Sequence, residues 1–453
     1  MFDIAIQSDR VITPRGIKKA VIVIREGKIA DVTSELPTGD FPVVDVGNKV
    51  LMPGVVDPHV HINEPGRTDW EGFDTATRAA IAGGITTLVD MPLNSSPVTT
   101  TAKAFDEKRN ATKGQLHTNC GFWGGIVPGN EKEIEPLIEK GVLGFKAFLT
   151  HSGIDEFPNI TEDDLRKTMP VIAKHNLPLL VHCELETSQK SKVKSQKSSY
   201  QQYLLSRPKK WEDDAIALMI RLCEEFNCRV HIVHLSSADS IAQITKARQK
   251  RLPLTVETGQ HYLFFNAAEI KDGQTQFKCA PPIREKENNE RLWQALKAGI
   301  IDFVATDHSP APPAMKELTS GNFMKAWGGI SSIQFALPVL WTAAKKHDCS
   351  LNDIAEWLCK KPAVLAGMQN SKGKIQKGYD ADLVVWDPEE SFIVTENIIH
   401  HKHKLTPYLG EKLFGVVEQT YLKGEKVFDK GEFIQLNKGS IIVGKKEHQT
   451  HKD

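Results

Sequence analysis

Eight short apolar runs, alternating with longer amphipathic stretches, constrain this chain more than any other feature. They cover residues 50–57, 86–91, 118–126, 142–149, 177–182, 228–234, 252–258 and 300–306. Runs of this length without polar alternation fit strands buried on both faces. The stretches between them, such as 161–175, 211–226 and 240–250, read as helices. A strand buried on both faces needs helices packed over it. Eight strand–helix units in succession therefore predict an α/β fold, a TIM-like (β/α)8 barrel inside a helical jacket.

Both chain ends follow a different pattern. Short strand-like runs at 20–24 and 43–46 precede the turns Arg25-Glu26-Gly27-Lys28 and Gly47-Asn48, and similar runs recur at 381–386 and 415–422. The ends are expected to meet as one small β-sandwich-like domain. The expected division is 1–50 with 375–440 for that domain, 51–374 for the barrel and 441–453 for a polar tail, disordered from 445 onward. Residues 187–199 are rich in Lys, Ser and Gln and read as a surface loop. Residues 309–329, rich in Pro, Gly and Ala, follow the eighth strand where a lid would sit.

Charge narrows the function. Lys+Arg and Asp+Glu both number 57, which gives no basic excess for a nucleic-acid partner. No apolar run approaches the roughly 20 residues that span a bilayer, and the first residues, MFDIAIQSDRVITP, do not resemble a secretory leader. The cysteines at 120, 183, 223, 228, 279, 349 and 359 form no CxxC pair and are odd in number. An intracellular, most simply cytoplasmic, protein acting on a small molecule is the expectation.

Chemistry-bearing residues gather at the strand ends. In Asp57-Pro58-His59-Val60-His61, residues i and i+2 of a strand face the same way, so two imidazoles can converge on one ion. His182 ends the fifth run, His234 the sixth, and Asp307 follows the eighth. Each alone could be a hydrogen-bonded core histidine or a helix cap. Four such placements at one end of a barrel, where barrel chemistry is carried out, point to a metal centre. His231, three residues before His234, should face away. Lys146, in Gly144-Phe145-Lys146-Ala147-Phe148, is costly to bury as a cation. Either it pairs with a carboxylate, or desolvation depresses its pKa and exposes a nucleophilic lone pair that can add carbon dioxide.

These residues resemble the cyclic amidohydrolase branch of the amidohydrolase superfamily. Pro53-Gly54-Val55-Val56-Asp57-Pro58-His59-Val60-His61 looks like its opening signature and Thr306-Asp307-His308-Ser309-Pro310 like its closing one. Gly378-Tyr379-Asp380-Ala381-Asp382-Leu383-Val384-Val385 is similar to the segment that returns to the small β domain. The resemblance implies two divalent metal ions, commonly zinc, and an N6-carboxylated Lys146 bridging them. His59, His61, Lys146 and Asp307 would hold one ion; Lys146, His182 and His234 would hold the other. Asp307 would also be the catalytic proton carrier. A homotetramer is implied as well. A non-catalytic structural relative would have lost ligands, and all six positions here carry residue types that bind metal.

The substrate is narrowed by what is missing. Dihydroorotases, which read a substrate carboxylate, typically show HxHxREPG, KxNPPxR and TDHAPH. Here Asn63, Ala280 and Ala311 replace the Arg, the Asn and the last His. Dihydropyrimidinases usually carry a Tyr after the metal-binding lysine, and residues 146–153 contain none. Those residues, Glu64-Pro65-Gly66-Arg67-Thr68-Asp69-Trp70-Glu71-Gly72-Phe73, Met91-Pro92-Leu93-Asn94-Ser95 and residues 323–330 resemble allantoinases. Allantoin is a neutral hydantoin with a ureido arm, which calls for amide-type donors and acceptors. By that resemblance Asn94 is the side-chain candidate for substrate binding, with backbone groups at Cys279 and Gly328. A hydantoinase or dihydropyrimidinase is the alternative. His400-His401-Lys402-His403 has no strand-end placement and reads as a surface or interface segment.

Overall fold

The computed structural model describes residues 3–186 and 199–444. Residues 187–198 of the loop expected at 187–199 and the tail from 445 lie outside the described residues. Eight barrel strands follow one another as Val55–Val60, Ile85–Asp90, Asn119–Phe122, Phe145–Phe148, Leu179–His182, Val230–Ile232, Leu254–Gly259 and Phe303–Ala305. Neighbours are paired in parallel, apart from the junction of the third with the fourth and the closure of the eighth on the first. At the junction, Gly124–Gly125 pairs with Phe145 and Lys146, and Leu143 N–H donates to Phe122 O at 2.9 Å. The closure runs through a parallel bridge between Val60 and His308, with His61 N–H donating to His308 O at 2.8 Å. Thr306 Oγ1 also donates to the buried Asp57 carboxylate across this seam.

The helices fall where apolar spacing places them, within two residues: Glu162–Lys174, Lys209–Phe226 and Ile241–Gln249. Glu162–Lys174 starts on a capping box between Thr161 and Asp164, and buries Leu165, Thr168, Met169 and Ile172. That i, i+3, i+4, i+7 stripe is the face a barrel strand requires.

Two runs read as single strands are divided. The first, 50–57, splits at Gly54. Val50–Pro53 pairs antiparallel with Leu383 to Trp386 in the end sheet, and only Val55–Val60 enters the barrel. A Cβ at Gly54 would lie 2.2 Å from Thr86 Oγ1, so the crossing depends on a residue without a side chain. The run at 118–126 breaks at Trp123, whose indole N–H donates to Pro58 O at 2.8 Å. Hydrophobicity does not register such breaks, because both halves are buried.

The two chain ends form one nine-stranded sheet. Its order runs from Glu432–Phe433 through Glu425–Asp429, Lys412–Leu422, Leu383–Ile393, Val50–Pro53, Ile4–Thr13 and Gly16–Arg25 to Lys28–Thr33, with Val43–Asp45 paired to Ile4–Thr13. Ile6, Ile22 and Ile24 from the first part share a core with Leu383, Val385 and Tyr421 from the second, a sandwich-like enclosure. Residues 439–444 then return to the barrel. Ile441 bridges Cys120 in parallel, Cys120 N–H donates to Ser440 O at 3.0 Å, and Gly444 N–H donates to Gly141 O at 2.9 Å. This strap lines the edge of the third strand near its start. No helix of the described residues is long and apolar enough to cross a membrane.

Candidate active site

The C-terminal strand ends bring the six expected residues into one buried cluster. His59, in the first strand, and His61, just past its end, aim Nε2 at Asp307 Oδ1 at 3.2 and 3.5 Å. His182 Nδ1 and His234 Nε2 lie 3.0 Å apart. Ligand atoms of His59, His234 and Asp307 all fall within 4.8 Å of one another. His234 and Asp307 take φ values of 38° and 46°. Non-glycine residues rarely occupy that left-handed region, and such strain concentrates at functional sites. Here it turns both side chains inward at the strand ends.

Lys146 sits beneath this group, fully buried, with Nζ lacking a hydrogen-bond partner among the described residues. The carboxylate partner left open by the sequence is therefore not found at hydrogen-bond distance. The amine lies 4.7 Å from the centre of the Phe148 ring, which stacks on His182 at 4.7 Å. Burial pulls its pKa down to about 8, which raises the share of nucleophilic amine near neutral pH.

Three charged residues that sequence reading did not single out set the histidine tautomers. Glu257, in the seventh strand, accepts from His59 Nδ1 and, at 3.1 Å, from His231 Nε2. Burial alone would raise Glu257, but the imidazoles of His59 and His231 bring it down to about 2. Glu184 accepts from His182 Nε2 at 2.7 Å and from Arg207 Nε at 3.0 Å. Against the upward push of burial, Arg207 and His182 hold it at about 2. Each of these bonds leaves the ring's other nitrogen directed into the cluster. The available signal was an acid inside an apolar run, as in Leu254-Thr255-Val256-Glu257. His231 faces away from the cluster, as its spacing predicts, and stacks on Phe303 at 5.2 Å.

Electrostatics and donor chemistry suit cations. Burial lowers His61, takes His182 to about 4 and lowers His234 far below the usual histidine range, so these rings are neutral at pH 7. Burial would raise Asp307, but His59 and His61 hold it below the ordinary carboxylate value. Neutral imidazoles, an ionised carboxylate and an orphaned buried amine on one point form a set that a divalent ion satisfies.

Above the cluster lies a cavity of about 770 Å³, walled in part by Asn94, Phe148, Arg207, Ser309, Trp327 and Gly328. Asn94 is 2% exposed, has φ 68°, and its Oδ1 has no partner among the described residues. Cys279 does not line the cavity; its carbonyl accepts from Tyr203 Oη at 2.7 Å, while Lys278 and Ala280 on either side reach the wall. Asn63 is buried with Nδ2 donating to Pro310 O at 3.3 Å, Ala280 lines the cavity and Ala311 is buried. His401, from the segment read as surface or interface, is fully buried beside His308 and Phe335.

Residues 50–427 match the amidohydrolase family model. The chain belongs to the amidohydrolase family. Amidohydrolases are metal-dependent, in keeping with the cluster described above. The chain is 45% identical over 443 residues to an allantoinase of Streptomyces avermitilis, covering 97% of this chain and 98% of that one. It is 43% identical to an allantoinase of Arabidopsis thaliana over 96% of this chain and 90% of the relative. Among solved structures, an L-hydantoinase (dihydropyrimidinase) from Arthrobacter aurescens superimposes with a TM-score of 0.92 at 31% identity, covering 98% and 100% of the two chains. The resemblance to this family drawn from the motifs is therefore upheld, as is the barrel.

Proposed function

We propose that this amidohydrolase is an allantoinase, opening the hydantoin ring of allantoin to give allantoate in purine nitrogen breakdown. The relatives at 45% and 43% identity carry that name over nearly the whole chain. One observation carries the choice of substrate: neutral residues stand where a dihydroorotase reads a carboxylate. Asn63, Ala280 and Ala311 occupy those sequence positions, Ala280 in the cavity wall; of the wall's cations, Arg207 is engaged by Glu184 and Lys278 by backbone carbonyls, and Lys325 is exposed. A missing charge-assisted contact costs about 1.5–3 kcal/mol.

His59, His61, Lys146 and Asp307 would hold one ion, and Lys146, His182 and His234 the other. Zinc fits this set of imidazole and carboxylate donors. Lys146 would bridge as a carbamate, its neutral amine adding carbon dioxide and releasing one proton to solvent. Metal ions bound here would supply a nucleophilic water at neutral pH and a polarised carbonyl. Asp307, kept ionised by His59 and His61, takes a proton from the attacking water and hands it to the departing ring nitrogen. The C–N bond breaks, and the new carboxylic acid loses its proton to solvent. Asn94 Oδ1 and the Gly328 backbone would bond the amide edges of the ring. We take the working form to be a homotetramer in the cytoplasm, a setting supported by seven free cysteines.

Turnover of allantoin, hydantoin, dihydrouracil and dihydroorotate by metal-loaded enzyme tests this reading. Allantoin should be preferred and dihydroorotate refused. Ring opening of dihydrouracil with allantoin untouched would replace it with the dihydropyrimidinase alternative.

A further inference from the structure

Two lysines outside the metal cluster hold the wall of the cavity. Lys316, 4% exposed, points Nζ at the carbonyls of Lys278, Trp327 and Gly329 at 3.3, 2.8 and 2.7 Å. Lys278, 8% exposed, points Nζ at the carbonyls of Met324 and Ala326 at 3.1 and 2.5 Å and lies 4.9 Å from the centre of the Tyr203 ring. Neither forms an ion pair with a carboxylate among the described residues. Burial brings the pKa of both down to about 7, and an amino group taken out of water without a counter-charge is costly, charged or neutral, unless its protons are hydrogen-bonded. Five backbone carbonyls meet that need here.

The clamp has a consequence for the wall. It engages the carbonyls of Met324, Ala326, Trp327 and Gly329. The N–H groups of Trp327 and Gly329 are tied to Met315 O at 2.7 Å and Lys278 O at 2.9 Å. Gly328 lies between these anchors and lines the cavity, and among the described residues neither its N–H nor its carbonyl is hydrogen-bonded. A cyclic amide presents an N–H beside a C=O, the complement of a peptide group left free in this way.

We propose that Lys316 and Lys278 are positioning residues for the ring-opening reaction. Their Nζ groups draw the neighbouring carbonyls away from the cavity and fix the Gly328 peptide as a donor and acceptor for a neutral cyclic amide. The inference rests on the ring-hydrolase reading. It adds a reason for two buried lysines that lie outside the metal cluster.

Full-length, metal-loaded Lys316→Met and Lys278→Met provide the test, with Lys316→Gln keeping one donor. KM for allantoin should rise about tenfold or more in the Met variants while kcat falls less than about threefold. Hydrogen exchange at the amides of 324–329 should quicken, metal content should stay at the wild-type level, and Lys316→Gln should recover part of the KM. KM within about twofold of wild type in both Met variants, whatever the melting temperature, overturns the proposal. Wild-type enzyme that ignores allantoin would instead defeat the functional reading. The same KM comparison on whichever ring the enzyme opens would still decide the role of the lysines.

Discussion

His182 donates its Nε2 proton to Glu184 Oε2 at 2.7 Å, two residues further along the same strand end. This bond leaves His182 Nδ1 as a lone pair, 3.0 Å from His234 Nε2. The tautomer of a proposed ligand is thus set by a carboxylate that Arg207 keeps ionised. Glu184→Gln should lower metal affinity about 10–100-fold, the usual cost of losing a carboxylate behind a ligand histidine. Competition with a chelator measures it. Because the single change leaves Arg207 without its counter-charge, Glu184→Gln/Arg207→Gln should be the better folded of the two variants. Equal metal affinity in wild type and Glu184→Gln would show that the bond is not needed.

Lys146 has no hydrogen-bond partner among the described residues and is fully buried. An amine kept only for stability would have one. Lys146→Met, close in shape and without the desolvation cost, should leave the metal-free protein as stable as wild type or more so, by thermal melting. It should lower kcat by about a thousandfold or more, since the bridging group is lost. Wild-type enzyme given ¹³C-bicarbonate should show a carbamate carbon resonance that this variant lacks. A fully active Lys146→Met would remove the carbamate from the mechanism.

The sequence made some of this legible and left the rest out of sight for definable reasons. His59 and His61 were readable because a two-residue spacing on a strand is local. His182, His234 and Asp307 became readable only together, once the eight runs implied a barrel with a common end. Lys146 stood out because a lysine among aromatics is chemically expensive. Glu257 and Glu184 were not readable as partners. The contact of Glu257 with His59 spans 198 positions and depends on the barrel closing. Lys316 and Lys278 were hidden for another reason: their partners are backbone carbonyls, which carry no sequence signature. The division at Gly54 was hidden because apolar runs look alike in either sheet.

Acid should weaken the metal-free fold in a defined window. Burial takes His261 to about 4 and His401 to about 3, from an ordinary value of 6.5. The unfolded chain therefore binds more protons than the fold between pH 6.5 and those values. The stability this confers is complete above 6.5 and is lost as pH falls through the window. Each ring contributes a slope of about 1.4 kcal/mol per pH unit where only the unfolded form is protonated. Urea melts from pH 7 to 4 should show the decline, and His401→Phe should show a shallower one. A parallel decline in that variant would assign the effect to other groups.

The strap at 439–444 predicts a separation of stability from activity. A Cβ at Gly439 would lie 2.0 Å from Thr118 O, a backbone atom that cannot move aside without disturbing the approach to the third strand. The strap pairs with Cys120, near the start of that strand, whereas the metal cluster lies at the opposite strand ends. Gly439→Val should therefore destabilise the protein by about 1–3 kcal/mol, the usual range for overpacking a tight contact. A shift of the urea midpoint at unchanged slope would report it. kcat and KM of the folded enzyme at 25 °C should stay within about twofold of wild type, because the Gly439 contact lies at the start of the third strand and the metal cluster at the opposite strand ends. A variant with full stability would show that residues 439–444 do not brace the barrel. One with full stability and lost activity would place them in the path of the substrate instead.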